Sequence, residues 1–323
     1  MAVKKIFSIC FASFLVAALI VGSAQKSFAA KPVPSSAISY TAPVTLYWLA
    51  KAGVPEAVEY VQYINAEKIV KPNNIAQYER VEKINKIYQE IQYSSLNDFV
   101  VSENYTNVMD LGCGVSPRCL YMAKKGINYV GTDLKEVVNV LNIYAPNFID
   151  EDMKKYVNFV VADATNKNEM LAAAKKFDGK ICIVEEGLLS YLSRDQQKAT
   201  LKNICEILKR HGGCFVTSDF VAAEIFMSAG KAIYGEEDAL ILAGETKKLY
   251  ENISQVLFDD TIFKTHEEAI KFIEDAGLKI EMRPIFQSTP DIRSARDLNT
   301  RDINNINEML TGQKLLWVIT VGN

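Results

Sequence analysis

Between residues 107 and 134 the chain reads N-V-M-D-L-G-C-G-V-S-P-R-C-L-Y-M-A-K-K-G-I-N-Y-V-G-T-D-L, and its chemistry is carried by two glycines and two acids. Gly112 and Gly114 flank Cys113, so the backbone can turn sharply and let a ligand approach with no Cβ in the way. Asp110 stands just before the turn. Asp133 follows about 20 residues past the glycines, the distance at which a nucleotide-binding fold sets an acid against a ribose hydroxyl. More acids close later apolar runs: Asp163 after Val157–Ala162, Glu185 and Glu186 after Ile181–Val184, and Asp219 after Cys214–Thr217.

Which nucleotide such a site takes follows from what the turn lacks. A dinucleotide site wants G-x-G-x-x-G and rests a pyrophosphate on a helix N-terminus. Here Pro117 holds the third position, and a carboxylate at Asp110 would repel a pyrophosphate. The pattern suits a phosphate-free, cationic adenosine compound, a description that S-adenosylmethionine (SAM) meets with its sulfonium and α-amino group.

The elements that must hold these residues are legible in the same stretch. Val108–Leu111 predicts a first strand. Ser116 and Pro117 suit an N-cap and first helical position, Leu120 and Ala123 share a helical face, and Gly126 suits the stop. Tyr129–Thr132 predicts a second strand that delivers Asp133. A helix over Glu136–Tyr144, a third strand over Val157–Ala162, a fourth over Ile181–Val184 and a fifth over Cys214–Thr217 follow. Leu278–Ile285 and Leu315–Val321 predict the last two. Ser193…Gln196 and Thr265…Glu268 read as capping boxes, with the first helix running to Arg210. The expected fold is α/β, a doubly wound, mostly parallel seven-stranded sheet of Rossmann-like type.

In these residues the chain resembles the SAM-dependent methyltransferases of the leucine carboxyl methyltransferase and polyketide O-methyltransferase family. That family places an arginine four residues after its glycine turn, as Arg118 follows Gly114. Its second strand ends D-L-P-E-V, where this chain has Asp133-Leu134-Lys135-Glu136-Val137. Its fourth strand ends E-G-L-L-x-Y-L, matched by Glu186-Gly187-Leu188-Leu189-Ser190-Tyr191-Leu192. Ser116 and Pro117 replace the aspartate and threonine usual before the arginine. The resemblance covers about Val108 to Phe220, with weaker echoes near Tyr40–Ala50 and Arg80. It implies a SAM pocket formed by Asp110, Gly112, Gly114, Arg118, Asp133, Leu134, Asp163, Ala164 and Glu186. Asp163 and Ala164 would meet the adenine, though an Asp there also suits an N-cap. Neighbouring strand side chains face opposite ways, so only one of Glu185 and Glu186 faces the ligand, and the resemblance selects Glu186. It also implies an N-terminal helical cap whose Arg80 approaches the ligand carboxylate, a position that an ordinary solvated helix residue explains equally well.

Residues 1–29 have the form of a signal peptide or membrane anchor: Lys4 and Lys5, an apolar run Ile6–Gly22, and small residues around Ser27–Ala29. Their expectation is export, to the periplasm or beyond, or attachment to a membrane, with a cytoplasmic body as the alternative. Residues 30–100 are expected to form the helical cap and 101–323 the SAM-binding domain, with 220–264 a helical, lid-like insert too long for a simple connection. Gln287–Gln313 reads as a polar stretch that could border the site. The net charge of −3 and pI near 5.7 argue against nucleic acid as the main partner. Six cysteines, with Cys10 in the leader, do not form a disulfide framework. No metal is called for.

Methyl transfer from a sulfonium is an in-line displacement that needs donor and acceptor aligned and water excluded. A carboxylate acceptor needs no base; a hydroxyl does. The two histidines, His211 at a helix end and His266 in a capping box, read as structural and solvated residues. The expectation therefore tilts to a carboxylate or an acidic hydroxyl on a small molecule or peptide, with Tyr191 and Glu186 the candidate catalytic residues. Two other classes stay open at this point: a nicotinamide oxidoreductase, opposed by Pro117 and the strand-end acids, and an exported domain that binds SAM or a nucleoside without turnover.

Overall fold

A computed structural model describes residues 42–62, 75–254 and 257–322. The leader and residues 30–41, Tyr40 among them, lie outside the described residues. Among the described residues no helix is long and apolar enough to cross a membrane.

Seven strands form one sheet: β1 Asn107–Leu111, β2 Asn128–Asp133, β3 Val157–Val161, β4 Ile181–Glu185, β5 Gly213–Thr217, β6 Leu278–Arg283 and β7 Leu316–Val321. Their order is β3-β2-β1-β4-β5-β7-β6. The first five pair in parallel, and β7 runs antiparallel to both β5 and β6. The order reverses between β1 and β4, and in open α/β sheets ligands bind in the crevice above the C-terminal strand ends at that point. Asp110 and Val184 are register partners there, one residue before Leu111 and Glu185.

The central strands are buried on both faces, which is why they read as near-continuous apolar runs. Met109, Ile183, Phe215, Trp317 and Ile319 join one core. Val108, Cys182, Val184, Cys214, Val216 and Leu316 join the other. The helices that cover these faces are α1 Ala42–Lys51, α2 Pro55–Val61, α3 Ile75–Ser102, α4 Arg118–Lys124, α5 Lys135–Tyr144, α6 Lys167–Ala174, α7 Arg194–His211, α8 Ala222–Tyr234, α9 Glu236–Ser254, α10 His266–Glu274 and α11 Thr300–Gly312. The long α3 gives Ile84, Ile87 and Ile91 to the first core and Leu96, Phe99 and Val100 to the second, so it borders both. Its Glu90 is fully buried and accepts hydrogen bonds from the amides of Arg293 and Ser294 and from the Ser294 hydroxyl, at 2.9, 2.8 and 2.6 Å. One carboxylate thereby fastens the helix to the segment between β6 and β7.

The local departures from expectation are instructive. α4 begins at Arg118, with Pro117 as its N-cap and Ser116 Oγ accepting only the Arg118 amide, at 3.3 Å. The reciprocal capping box at Ser193 and Gln196 is complete. At α10 only half forms: Thr265 caps the Glu268 amide, while Glu268 reaches back to the amide of Lys264. The stretch read as polar after β6 contains α11, capped by Asn299 and burying Ile306, Met309 and Leu310.

Candidate functional site

The tips of β1, β2, β4 and β5 open into one cavity of about 1020 Å³. On the β1 side its floor is the glycine turn. Gly112 and Gly114 have φ of +58° and +54°, in the left-handed region that favours glycine. A Cβ at Gly112 would lie 3.1 Å from Leu188, and one at Gly114 3.1 Å from Ala42, so the turn is wedged between the β4 tip and α1. Asp133 ties it to β2: its Oδ2 accepts the Gly114 amide and its Oδ1 the Leu134 amide, both at 2.7 Å. Burial pushes the Asp133 carboxyl up to about 6 despite these two donors.

Arg118 does something the sequence did not disclose. It is 1 % exposed and lies between two carboxylates: Nη1 donates to Asp110 at 3.0 Å and Nη2 to Glu186 at 2.5 Å, while Nε donates to Asn97 at 2.8 Å. The Tyr129 hydroxyl donates to the same Asp110 oxygen at 2.9 Å. The row of strand-end acids is therefore not a bare negative surface. Asp110, the acid expected to repel a pyrophosphate directly, is a buried counter-ion, and Arg118 is fully engaged below the cavity wall. Buried carboxylates require this kind of pairing. Glu186 keeps one oxygen out of the arrangement: Oε1 is buried, and no donor reaches it among the described residues.

At β4 and β5 the two glutamates separate as strand alternation requires. Glu185 is fully buried, accepting the amides of Leu188 and Leu189 and the Thr217 hydroxyl. Glu186 lines the cavity. Beside Glu185 lies Asp219, whose Oδ1 accepts the Gly187 amide at 2.8 Å. Burial raises both carboxyls, Glu185 the more, and a contact between them raises Glu185 further while lowering Asp219. Asp219, read from sequence as an acid at the end of the fifth strand but given no role in the site there, lines the cavity. Its position directly after an apolar strand was the available signal.

Asp163 is not a helix cap. Asn166 caps α6, and Asp163 Oδ1 instead accepts the amide and hydroxyl of Thr165, leaving the side chain on the cavity wall. Ala164 is held by Asn203, which donates to its carbonyl at 2.9 Å. Leu134 and Tyr191 also line the cavity. Tyr191 packs edge-on to Phe258 at 5.5 Å. Arg80 is apart from this group: it pairs with Asp238 at 2.6 Å, lies over the Tyr234 ring and is 40 % exposed, so the solvated-helix alternative describes it. His266 departs from expectation in the other direction. It is not simply solvated but lines the cavity, with Nε2 2.7 Å from Glu224 and its ring edge-on to Trp317. Cys113, within the glycine turn, is buried, and burial holds its thiol well above its ordinary value, so it is not poised as a nucleophile. Cys182 and Cys214 lie 3.9 Å apart as free thiols.

Residues 108–212, from β1 to the end of α7, match the family model of a methyltransferase domain. No curated protein matches the chain. Solved structures do. A DUF574-family protein from Streptomyces avermitilis is 12 % identical, with 90 % of this chain and 98 % of that one covered and a TM-score of 0.48. The methyltransferase domain of bacterial CtHen1 is 17 % identical, with 71 % and 100 % covered and a TM-score of 0.42. An O-methyltransferase from neocarzinostatin biosynthesis, solved with SAM and 2-hydroxy-5-methyl naphthoic acid, is 13 % identical, with 68 % and 49 % covered and a TM-score of 0.39.

Residues 108–212 thus match a methyltransferase domain and lie on a Rossmann-like sheet, which makes SAM the donor to test against the site. The residues present fit that donor. The turn has no room for side chains at Gly112 or Gly114, and Glu186 Oε1 is a buried acceptor that no donor reaches among the described residues, an arrangement that suits a cationic ligand.

Proposed function

We propose that this enzyme moves the methyl group of SAM to an oxygen, a carboxylate or acidic hydroxyl, on a small-molecule or peptide acceptor. The observation that carries this reading is the continuity of the cavity. It extends from the glycine turn past Glu186 to a lobe walled by Tyr88, Phe220, Phe226, Tyr250 and Phe263. Its volume stands at the top of the roughly 300–1,000 Å³ typical of a single-ligand pocket, so donor and acceptor fit together. The β4-tip match to the leucine carboxyl and polyketide O-methyltransferases supports the same chemistry.

In this reading Asp133 receives the ribose hydroxyls, Asp163 and the Ala164 amide meet the adenine, and Leu134 packs beside it. Glu186 Oε1 takes the cationic end, held in place by Arg118, and Asp110 fixes Arg118. SAM, when bound, supplies an electrophilic methyl on sulfur. The chain's part is to align the acceptor, assisted by the Tyr191 hydroxyl, and to keep water out. Helices α1–α3 act as a cap, and the 220–264 insert as a lid over the acceptor lobe. Arg80 has no part in this assignment.

The test is transfer of labelled methyl from SAM to a panel of aromatic carboxylates and phenols and to cell extract. An O-methylated product is the expected outcome. Calorimetric binding of SAM with no labelled product from any acceptor would instead favour a binding protein without turnover. We also propose that residues 1–29 direct export or membrane attachment; a fractionated culture in which the full-length chain stays soluble and cytoplasmic overturns that assignment.

A further inference from the structure

The Glu185–Asp219 pair is outside every role given so far. Both carboxyls stand at the tips of adjacent strands, joined through the register pair Glu185 and Thr217. Glu185 is consumed by the fold, since two amides and a hydroxyl hold its oxygens. Asp219 is not. Its Oδ1 is fixed by the Gly187 amide and its own amide by Thr217 Oγ1, at 2.8 and 3.0 Å. Its Oδ2 is buried, and no amide or hydroxyl donates to it among the described residues. The next residue, Phe220, belongs to the aromatic wall of the acceptor lobe and stacks on Trp317 at 5.1 Å. A rigidly held carboxylate oxygen that no amide or hydroxyl reaches, whose one acidic contact is the Glu185 carboxyl, stands here beside an aromatic wall, and that is the arrangement that would receive the O–H of a ring hydroxyl.

We propose that the acceptor is an aromatic hydroxyl compound and that Asp219 Oδ2 takes its proton. This rests on the O-methyl transfer reading above and narrows it. The hydroxyl O–H bond breaks and its proton passes to Asp219. The freed oxygen pair forms the new O–CH₃ bond, and the C–S bond of the donor breaks with its electron pair leaving on a neutral sulfur. Glu185 and Glu186 from β4 and Tyr88 from α3 are the titratable groups that bear on Asp219. Burial raises the Asp219 carboxyl toward neutrality, which brings a weak base closer to its task. The base that the two histidines were not expected to supply is thus a carboxylate at a strand end.

The test uses 4-nitrophenol, whose phenolate absorbs in the visible, bound to the full chain with S-adenosylhomocysteine, so that no turnover is needed. A carboxylate that accepts the O–H keeps the probe neutral, and the bound probe should ionise about one pH unit or more above the free probe. Asp219→Asn keeps the Gly187 contact but offers an N–H to the probe, and should bring the midpoint to or below the free value. Methyl transfer by this variant should fall at least about tenfold further for 4-methylphenol, which stays protonated near pH 8, than for 4-nitrophenol, which is largely ionised there. Equal midpoints in the two proteins, or a wild-type midpoint at the free value, overturn the proposal; the second needs no variant to fold. Failure of 4-nitrophenol to bind overturns the acceptor class. Calorimetry with S-adenosylhomocysteine separates that failure from the loss of the donor site itself, in which case the wild-type chain binds neither ligand.

Discussion

Replacing Arg118 by Met should reveal how the site's charges are held. The substitution keeps much of the volume and removes the cation that Asp110 and Glu186 share. Breaking a buried pair from one side costs about 3–5 kcal/mol, because the remaining charge is left uncompensated. Two carboxylates are stranded here, with side-chain exposures of 2 % and 10 %, and Asn97 loses its donor, so about 4 kcal/mol near pH 8 is the expected loss. Against a typical stability of about 5–15 kcal/mol the variant still folds. The loss must depend on pH. Burial holds the Glu186 carboxyl above its ordinary value even with Arg118 beside it. Without the guanidinium it rises further, so the folded variant binds more protons than its unfolded chain. Its stability therefore grows as pH falls through the raised value toward the unfolded value of about 4.3, and the gap to wild type narrows on acidification. Urea unfolding followed by fluorescence measures it, since the two tryptophans, Trp48 and Trp317, are both fully buried. Adding Asp110→Asn and Glu186→Gln should return most of the loss near pH 8. A loss below about 1 kcal/mol near pH 8, or one that deepens on acidification, refutes the shared-cation account.

Asp133→Ala should weaken S-adenosylhomocysteine binding by more than about tenfold, the 1.4 kcal/mol of a lost charge-assisted hydrogen bond. In the wild type, affinity should be level above pH 7 and fall as pH drops through about 6, where Asp133 takes up its proton. Calorimetry across that range checks both. Gly131→Ala adds a Cβ 2.9 Å from Cys113 Sγ and 3.0 Å from the Tyr129 ring, and overpacking of this kind costs about 1–3 kcal/mol. A thermal melt should show the drop, with Gly312→Ala, where nothing lies within 4 Å of the added atom, as the unaffected control.

The sheet was legible because its strands carry their own signals: short apolar runs, all but β6 closed by an acid or glycine. The switch-point crevice followed from the spacing of Gly112, Gly114 and Asp133 alone. The Asp110–Arg118–Glu186 unit was not legible, because three residues separated by 8 and 68 positions meet only once β1, α4 and β4 are aligned. Arg80 misled for the opposite reason. A lone arginine on an exposed helix face carries no local mark of direction, and Asp238 from the insert is what decides its orientation. Helix α11 was hidden by its polar content, although Ile303, Ile306 and Leu310 recur at helical spacing and Asn299 with Asp302 marks the cap. Asp219 needed the neighbouring Gly187 turn to be seen in place before the direction of its carboxyl meant anything.

Glu90 sets a limit on how this fold can breathe. Among the described residues its carboxylate, sealed from water, is satisfied only by donors at Arg293 and Ser294. Prising α3 away from that segment would leave a naked anion in the interior, at a cost of several kcal/mol. The long helix and the β6–β7 crossover therefore behave as a fixed jaw, and substrate traffic has to pass on the side that the jaw does not close.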